Sequence, residues 1–557
     1  MATTGTWSES PTSYSYQWAQ CSPSGTDCTI VDGANGSEYR PSAGTVGSTL
    51  EVSVTAGNAE GSGSAVSSAA TGVVIAQSNI YVAQSATGEA NGTSCENARE
   101  AAWFNQPESW GAGSGEIGPG AMVHLCGTIS TNLVAEGSGS AESPIVIYFE
   151  PGAAISMPVC PGRGEGCLDT NGESHLTIDG GTSGAIEDTA NGTNLSEHVS
   201  GSYGIEAANC NGCKIENLTI RNLYVHESAT DTSIDATQNQ GINFSGSHLT
   251  IADNTLHDIG WALVAEWTED DEGVSIHNND IYRIDHGLAS TAAFSGGSIG
   301  PIYVYGNDFH DYANWDTTTD SYHHDGIHCF SADAVGYTPH YNGLYIYGNR
   351  FGGETGHDMT AQVFLEGGSG EGATPCADPT SNIWLFNNVV SEGAPLYNGL
   401  FGLASGTLHV YNNTFIGSST EEGVCFMTGG AATGEVFENN LLTSCNQLMA
   451  AESADFAAGG LNYNLYANGG GNAFVCNRNF YSFAEFGAWT SCMSGDGESL
   501  VAPDAMINEA GVPQAGSAAL GGGVNLSAEC VGPLVALCAN IEGQPRPSSG
   551  HWNIGAY

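Results

Sequence analysis

Leu344-Tyr345-Ile346-Tyr347-Gly348-Asn349-Arg350-Phe351 and Leu408-His409-Val410-Tyr411-Asn412-Asn413-Thr414-Phe415 are one phrase written twice. In each, alternating β-branched and aromatic residues lead into a Gly- or Asn-rich exit, which reads as a short strand followed by a turn. The spacing, hydrophobic-x-x-Asn-x-hydrophobic, recurs as Ile251-Asn254-Leu256, Ile276-Asn279-Ile281, Val304-Asn307-Phe309, Leu385-Asn388-Val390 and Phe437-Asn440-Leu442. Successive asparagines stand 25, 28, 42, 39, 25 and 27 residues apart, so two adjacent turns carry insertions. Only a solenoid brings one residue type to the same address on every turn. No helical period separates the strands, which argues against alternating strands and helices.

A second strand column follows each Asn at a variable distance. It aligns as Gly241-Ile242-Asn243-Phe244, Ala262-Leu263-Val264-Ala265, Gly287-Leu288-Ala289-Ser290, Gly326-Ile327-His328-Cys329, Gln362-Val363-Phe364-Leu365, Gly399-Leu400-Phe401-Gly402 and Gly423-Val424-Cys425-Phe426. Short strands stacked coil on coil in this way resemble the right-handed parallel β-helix superfamily, an all-β fold of bacterial secreted pectate-lyase-like and polygalacturonase-like proteins, over residues 76–557. The resemblance implies that the seven asparagines stack at a tight turn and hydrogen-bond their neighbours above and below. It also implies that the solenoid begins at NIYVAQSATG, residue 79, with the stretch to about 170 capping its open end, and that the C-terminal stretch with FAEFGAWTSC, GSAALGGGV and GQPRPSSGHWNIGAY closes the last coil.

Residues 1–75 differ in character. SYSYQWAQC, with Trp18 and Cys21, and the later TLEVSVTAGNAEGSGSA resemble the small Ig-like β-sandwich repeats of bacterial secreted proteins, and a Ser/Ala/Gly-rich linker follows. The chain enters that repeat partway, so it reads as the remnant of a longer protein with its export signal upstream; MATTGTWSES itself has neither the basic start nor the apolar core of a signal peptide.

Sixty acidic residues against nine basic ones give a net charge of −51. Such a surface repels nucleic acid and anionic membranes, because phosphate binding relies on Lys and Arg. No apolar stretch is long enough to span a membrane, so no membrane insertion is expected. The sixteen cysteines lack the paired spacing of a zinc ribbon and fall into near neighbours. The close pairs Cys21–Cys28, Cys160–Cys167, Cys210–Cys213, Cys425–Cys445, Cys476–Cys492 and Cys530–Cys538 read as disulfides, Cys95–Cys126 and Cys329–Cys376 would complete eight, and the spacing alone leaves the connectivity open; eight bridges are in keeping with a secreted or cell-surface, bacterial-type protein.

The first enlarged turn contains NWDTTTDSYHHDGIHCF, which gathers Trp315, Asp316, Asp320, Tyr322, His323, His324, Asp325 and His328. Counted from Gly326, His324 and Asp325 hold the places that Asp285 and His286 hold before Gly287, so the four should form one patch on adjacent rungs about 4.8 Å apart. Two carboxylates beside imidazoles are what glycoside hydrolysis needs: an acid for the leaving oxygen and a base or nucleophile opposite it. His-His-Asp-Gly-Ile-His also resembles the Asn-Thr-Asp-Gly-Ile-Asp phrase of polygalacturonase-type hydrolases, which implies a catalytic Asp325; the family's Gly-His-Gly and Arg-Ile-Lys phrases are missing.

The candidate catalytic residues are therefore Asp325, Asp285, His324 and His328. His286, Tyr322, Trp315, Glu366 and His357 are candidates for substrate binding, Asp316 and Asp320 for metal ligation, and Trp261 and Trp267 for either groove lining or packing. The expected function is hydrolysis of a neutral polysaccharide without a required cofactor. One alternative is a polysaccharide lyase that uses calcium, for which only Arg283 and Arg350 stand near as cations; the other is a non-catalytic adhesin or cell-wall protein, built on Ig-like repeats, acidity and glycine.

Overall fold

The computed structural model describes residues 2–39, 41, 45, 47–74, 79–111, 115–190, 201–223, 239–292, 294, 297–312, 324–330, 339–355, 359–365, 376, 378, 380–391, 398–402, 407–428 and 433–557, with backbone alone at 398–402 and 418–422. The chain divides into two compact units, Met1–Ser78 and Asn79–Tyr557.

The first unit contains one five-stranded antiparallel sheet, in which Ser13–Cys21 pairs with Thr49–Asn58 over its whole length. Trp18, Leu50 and Val52 pack on one of its faces. A second sheet, which a sandwich would require, is not found among the described residues.

The second unit is a right-handed parallel β-helix. On its first face Val123, Ile147, Ile178, Ile215, Ile251, Ile276, Val304, Ile346, Leu385, Val410, Phe437 and Leu461 form one unbroken column of register partners. Each is almost wholly buried, and burying such a side chain stabilises the fold by roughly 1.5–3 kcal/mol. In several coils a single strand continues round the corner from the second face to the third. Thr255–Trp267 does so, pairing first with Thr219–Leu223 and then with Gln240–Phe244.

The asparagines stack as expected. In each step the upper residue's Oδ1 accepts from the backbone N–H and the Nδ2 of the residue below; for Asn307 on Asn349 both distances are 3.0 Å. The second Nδ2 hydrogen reaches a first-face carbonyl one coil down, as from Asn307 to Ile276 at 3.0 Å. The residue before each ladder Asn is left-handed, with φ of 57° at Asp253, 56° at Asn278, 65° at Gly306 and 60° at Asn439, which explains the Gly/Asn/Asp preference there. An eighth rung, Asn464, continues the ladder and was overlooked in the sequence, although Leu461-x-x-Asn464-x-Tyr466 carries the same signal. All eight expected disulfides form.

Three expectations need correction. The coils begin at residue 79 as expected, with Asn79–Ala83 paired to Met122–Cys126, but the stretch to about 170 is more than a cap, because Ile145–Phe149 and Leu176–Asp179 already continue the parallel pairing. Of the stretch expected to close the last coil only the first part does so: FAEFGAWTSC contributes the helix Phe486–Met493, whose buried Trp489 stacks on Phe474 at 4.7 Å. Residues 524–557 instead run back along the solenoid: Asn387, Asn412 and Asn439 each donate side-chain hydrogen bonds to this segment, and Leu526, Leu537 and Trp552 pack against Tyr345, Phe386 and Tyr411. Finally, Leu400 pairs with Phe426, two places beyond the aligned Val424. An even shift preserves the inward face.

Candidate active site

The third face builds the site. Its inward column, Ile205, Ile242, Leu263, Leu288, Ile327 and Val363, is buried in the core. One flanking column runs Tyr203, Gln240, Trp261, His286, Asp325 and Ala361. A second runs Glu206, Asn243, Val264, Ala289, His328 and Phe364. The glycines between these columns matter for packing: a Cβ on Gly287 would stand 2.4 Å from the Gly326 carbonyl oxygen.

Register thus brings Asp285, His286, His324, Asp325 and His328 together on adjacent coils. His286 Nδ1 lies 2.7 Å from Asp285 Oδ2, and its Nε2 lies 3.1 Å from His328 Nδ1 and 3.4 Å from Asp325 Oδ2. His328 Nδ1 is 3.5 Å from the same Asp325 oxygen. One imidazole therefore bridges the two carboxylates. Asp285 is also held by His324 Nδ1 at 3.0 Å and by the Trp261 indole N–H, which donates at 3.0 Å. Asp325 Oδ1 accepts the Ala361 backbone N–H at 3.0 Å. All five residues are buried, and His328, at 6 %, is the most exposed.

Aromatic rings wall the cluster. Trp261 tilts against His286 at 4.9 Å, Phe330 meets Trp261 edge-on at 5.4 Å, and Phe364 stacks on His328 at 4.8 Å. Burial by itself would raise the Asp285 carboxyl, but His286 and His324 outweigh it and hold the group well below the usual carboxylate range. Burial likewise opposes charge on His286, yet Asp285 and then Asp325 raise it to about 9.

Trp315, Asp316, Asp320, Tyr322, His357 and Glu366 lie outside the described residues. Trp267 belongs to the core, where its indole N–H donates to Tyr341 at 2.9 Å. The sequence reading missed Phe330, Phe364 and the Trp261–Asp285 bond. The register one coil below His286 would have revealed the last of these. Arg283 is paired with Asp258, and Arg350 donates to the Tyr557 hydroxyl at 3.0 Å, so both cations are engaged away from the cluster.

No protein-family model matches the chain, nor does any curated protein sequence. Among solved structures it is similar to XylC in complex with xylose, at 11% identity over 72% of this chain and 86% of that one, with a TM-score of 0.38. It is also similar to the Yersinia enterocolitica family 28 exopolygalacturonase, at 10% identity over 88% and 94% of the two chains and a TM-score of 0.32. A third is the Streptococcus pneumoniae surface protein and adhesin PfbA, at 11% identity over 71% and 93%, with a TM-score of 0.38. Likenesses at this level of identity assign no function to the chain, and fold alone does not imply one.

Proposed function

We propose that the protein is an exported carbohydrate-active enzyme that hydrolyses a neutral polysaccharide, with Asp325 at its working centre. The observation that carries this reading is the convergence of two carboxylates and three imidazoles from adjacent coils into one contact network. Structural ladders in this fold repeat from coil to coil. This network does not repeat, and it mixes acids with bases, as proton transfer requires.

Within it the carboxylates differ. Asp285 is surrounded by Trp261, His286 and His324, which suits a positioning group that fixes the His286 ring. Asp325 presents Oδ2 to His286 and His328, which suits the group that handles the reacting water. In the hydrolytic step the water oxygen bonds to the anomeric carbon while its proton passes toward Asp325. The glycosidic C–O bond breaks, and the leaving oxygen takes a proton from an imidazolium of the cluster.

Hydrolysis is favoured over elimination because Arg283 and Arg350, the cations that would neutralise a uronate, are engaged elsewhere. The net charge of −51 also disfavours a polyanionic substrate. Eight disulfides accord with an oxidising compartment.

The test is a panel of plant, algal and bacterial polysaccharides read both by reducing-sugar release and by absorbance of an unsaturated product. Reducing ends without the absorbance support a hydrolase. Absorbance moves the protein to the lyases, and silence on the panel together with glycan binding favours the adhesin.

A further inference from the structure

We infer that His286, His328 and Asp325 hold a single divalent transition-metal ion, of zinc type, with Asp285 as the group that orients its first histidine. The three ligand atoms, His286 Nε2, His328 Nδ1 and Asp325 Oδ2, form a triangle with sides of 3.1, 3.4 and 3.5 Å. An ion bonded to imidazole nitrogen and carboxylate oxygen at roughly 2.0–2.2 Å in a tetrahedral shell sets its ligands roughly 3.3–3.5 Å apart. The triangle is thus one face of such a shell, with the fourth position left for water.

Hydrogen bonding alone accounts for this geometry less well. A single N–H lies along one edge of the triangle, whereas a cation above its centre meets all three lone pairs at once. The surroundings also match those of a metal-bound histidine. The Asp285 carboxylate at 2.7 Å from His286 Nδ1 fixes the tautomer that turns Nε2 toward the site. Ala361 N–H occupies the other oxygen of Asp325, and Phe364 holds the His328 ring flat at 4.8 Å.

Two imidazoles and one carboxylate select a borderline metal. Calcium takes six to eight oxygen ligands at 2.3–2.6 Å, so this site does not suit it. Calcium was the ion expected of a lyase. The metal-ligand candidates Asp316 and Asp320 lie outside the described residues.

The proposal concerns the same cluster as the glycan-active reading and rests on that reading only for what the ion does. Bound there, it would carry a water whose pKa is lowered toward about 7. Asp325 would then act as a ligand and not as a free base.

The experiment uses the full chain, stripped with a chelator and titrated with Co²⁺ and Zn²⁺ against a chromophoric competitor, with metal content measured after dialysis. We expect one equivalent retained and a Co²⁺ visible spectrum of tetrahedral intensity. No thiolate band should accompany it, because all sixteen cysteines are paired in disulfides. Excess Ca²⁺ should not displace the ion. His328→Ala should weaken binding at least about a hundredfold, and Asp285→Asn about 10- to 100-fold.

Less than about a tenth of an equivalent in the unmodified protein would overturn the site. So would equal affinity in a folded His328→Ala or His328→Gln variant, which would assign the metal to surface histidines. Metal binding without glycan turnover would leave the site standing and remove the enzyme reading. Turnover that survives chelation with no metal bound would do the reverse.

Discussion

The asparagine ladder and the histidine–aspartate cluster are both polar columns buried across adjacent coils, yet they are built on opposite rules. In the ladder every rung is the same neutral amide, and Asn254 to Asn440 each donate downward to a carbonyl and upward to the next Asn in one pattern. In the cluster, two rungs carry Asp285 and His286 below His324, Asp325 and His328, and among the described residues their register partners in the coil above are Met359, Ala361 and Phe364. Repetition satisfies hydrogen bonds and adds to stability. A single non-repeating rung of charged groups adds little stability and is instead suited to chemistry.

The sharpest way to separate the two is to neutralise one charge in the cluster. Asp325→Asn should lower turnover on an identified glycan at least about a hundredfold, the usual scale for losing a general acid or base, while circular dichroism and the unfolding temperature stay close to those of the parent. Unchanged turnover in the folded variant would move the working centre elsewhere.

Breaking the ladder should do the opposite. Asn349→Ala removes donors to the Val304 carbonyl and Asn388 Oδ1, and it removes the acceptor of two hydrogen bonds from Asn307. Leaving such buried groups unsatisfied should cost about 3–5 kcal/mol in denaturant unfolding. Any activity that remains in the folded fraction should be near normal per molecule. A cost below about 1 kcal/mol would show that the ladder is ornamental.

A smaller effect lies where the ladder ends. Asn464 Nδ2 meets Asp496 Oδ1 at 3.4 Å, and burial pushes the Asp496 carboxyl up to about 6, with Ser499, Tyr466 and Asn464 offsetting part of the rise. A folded-state value above the unfolded one means that the neutral form is favoured in the fold. Its contribution is present in full below about pH 4 and is lost as pH rises through about 6. Asp496→Asn should therefore gain stability relative to the parent at pH 8 but not at pH 4, by at most about 3 kcal/mol. An identical difference at both pH values, measured by thermal unfolding, would rule out this titration.

The smallest change is expected at Asp253, which is exposed and left-handed at φ 57° ahead of the first rung. Asn adopts that backbone as readily, so Asp253→Asn should alter turnover less than about twofold and stability by no more than about 0.5 kcal/mol.

Much of this was legible in the chain itself. The recurring Asn phrase predicted the stacking, near-neighbour cysteines pointed to six of the eight bridges with Cys95–Cys126 and Cys329–Cys376 left to complete the set, and equal offsets from Gly287 and Gly326 predicted that His286 and Asp325 would be register partners. Other features were not legible. The slip of Leu400 onto Phe426 arises inside a long irregular strand, where alternation cannot distinguish a shift of two. The doublets Asn387-Asn388, Asn412-Asn413 and Asn439-Asn440 looked like plain turns. Their first members hold the returning C-terminal segment, a partner more than a hundred residues away for Asn387 and Asn412.

The sequence by itself determined the coil, because a period in the chain becomes a stack in space whenever each repeat needs its neighbours to bury its apolar face. At the cluster it also determined which residues would meet across adjacent coils, since the register there follows from counting back from Gly287 and Gly326. Only the tertiary structure decided how the atoms of the cluster face one another. Which oxygen of Asp285 meets His286, and how three ligand atoms come to lie 3.1–3.5 Å apart, depends on ring orientations set by Trp261, Phe364 and the Ala361 amide. Spacing along a chain places residues, but side-chain torsions fixed by packing place their lone pairs, and the chemistry depends on the lone pairs.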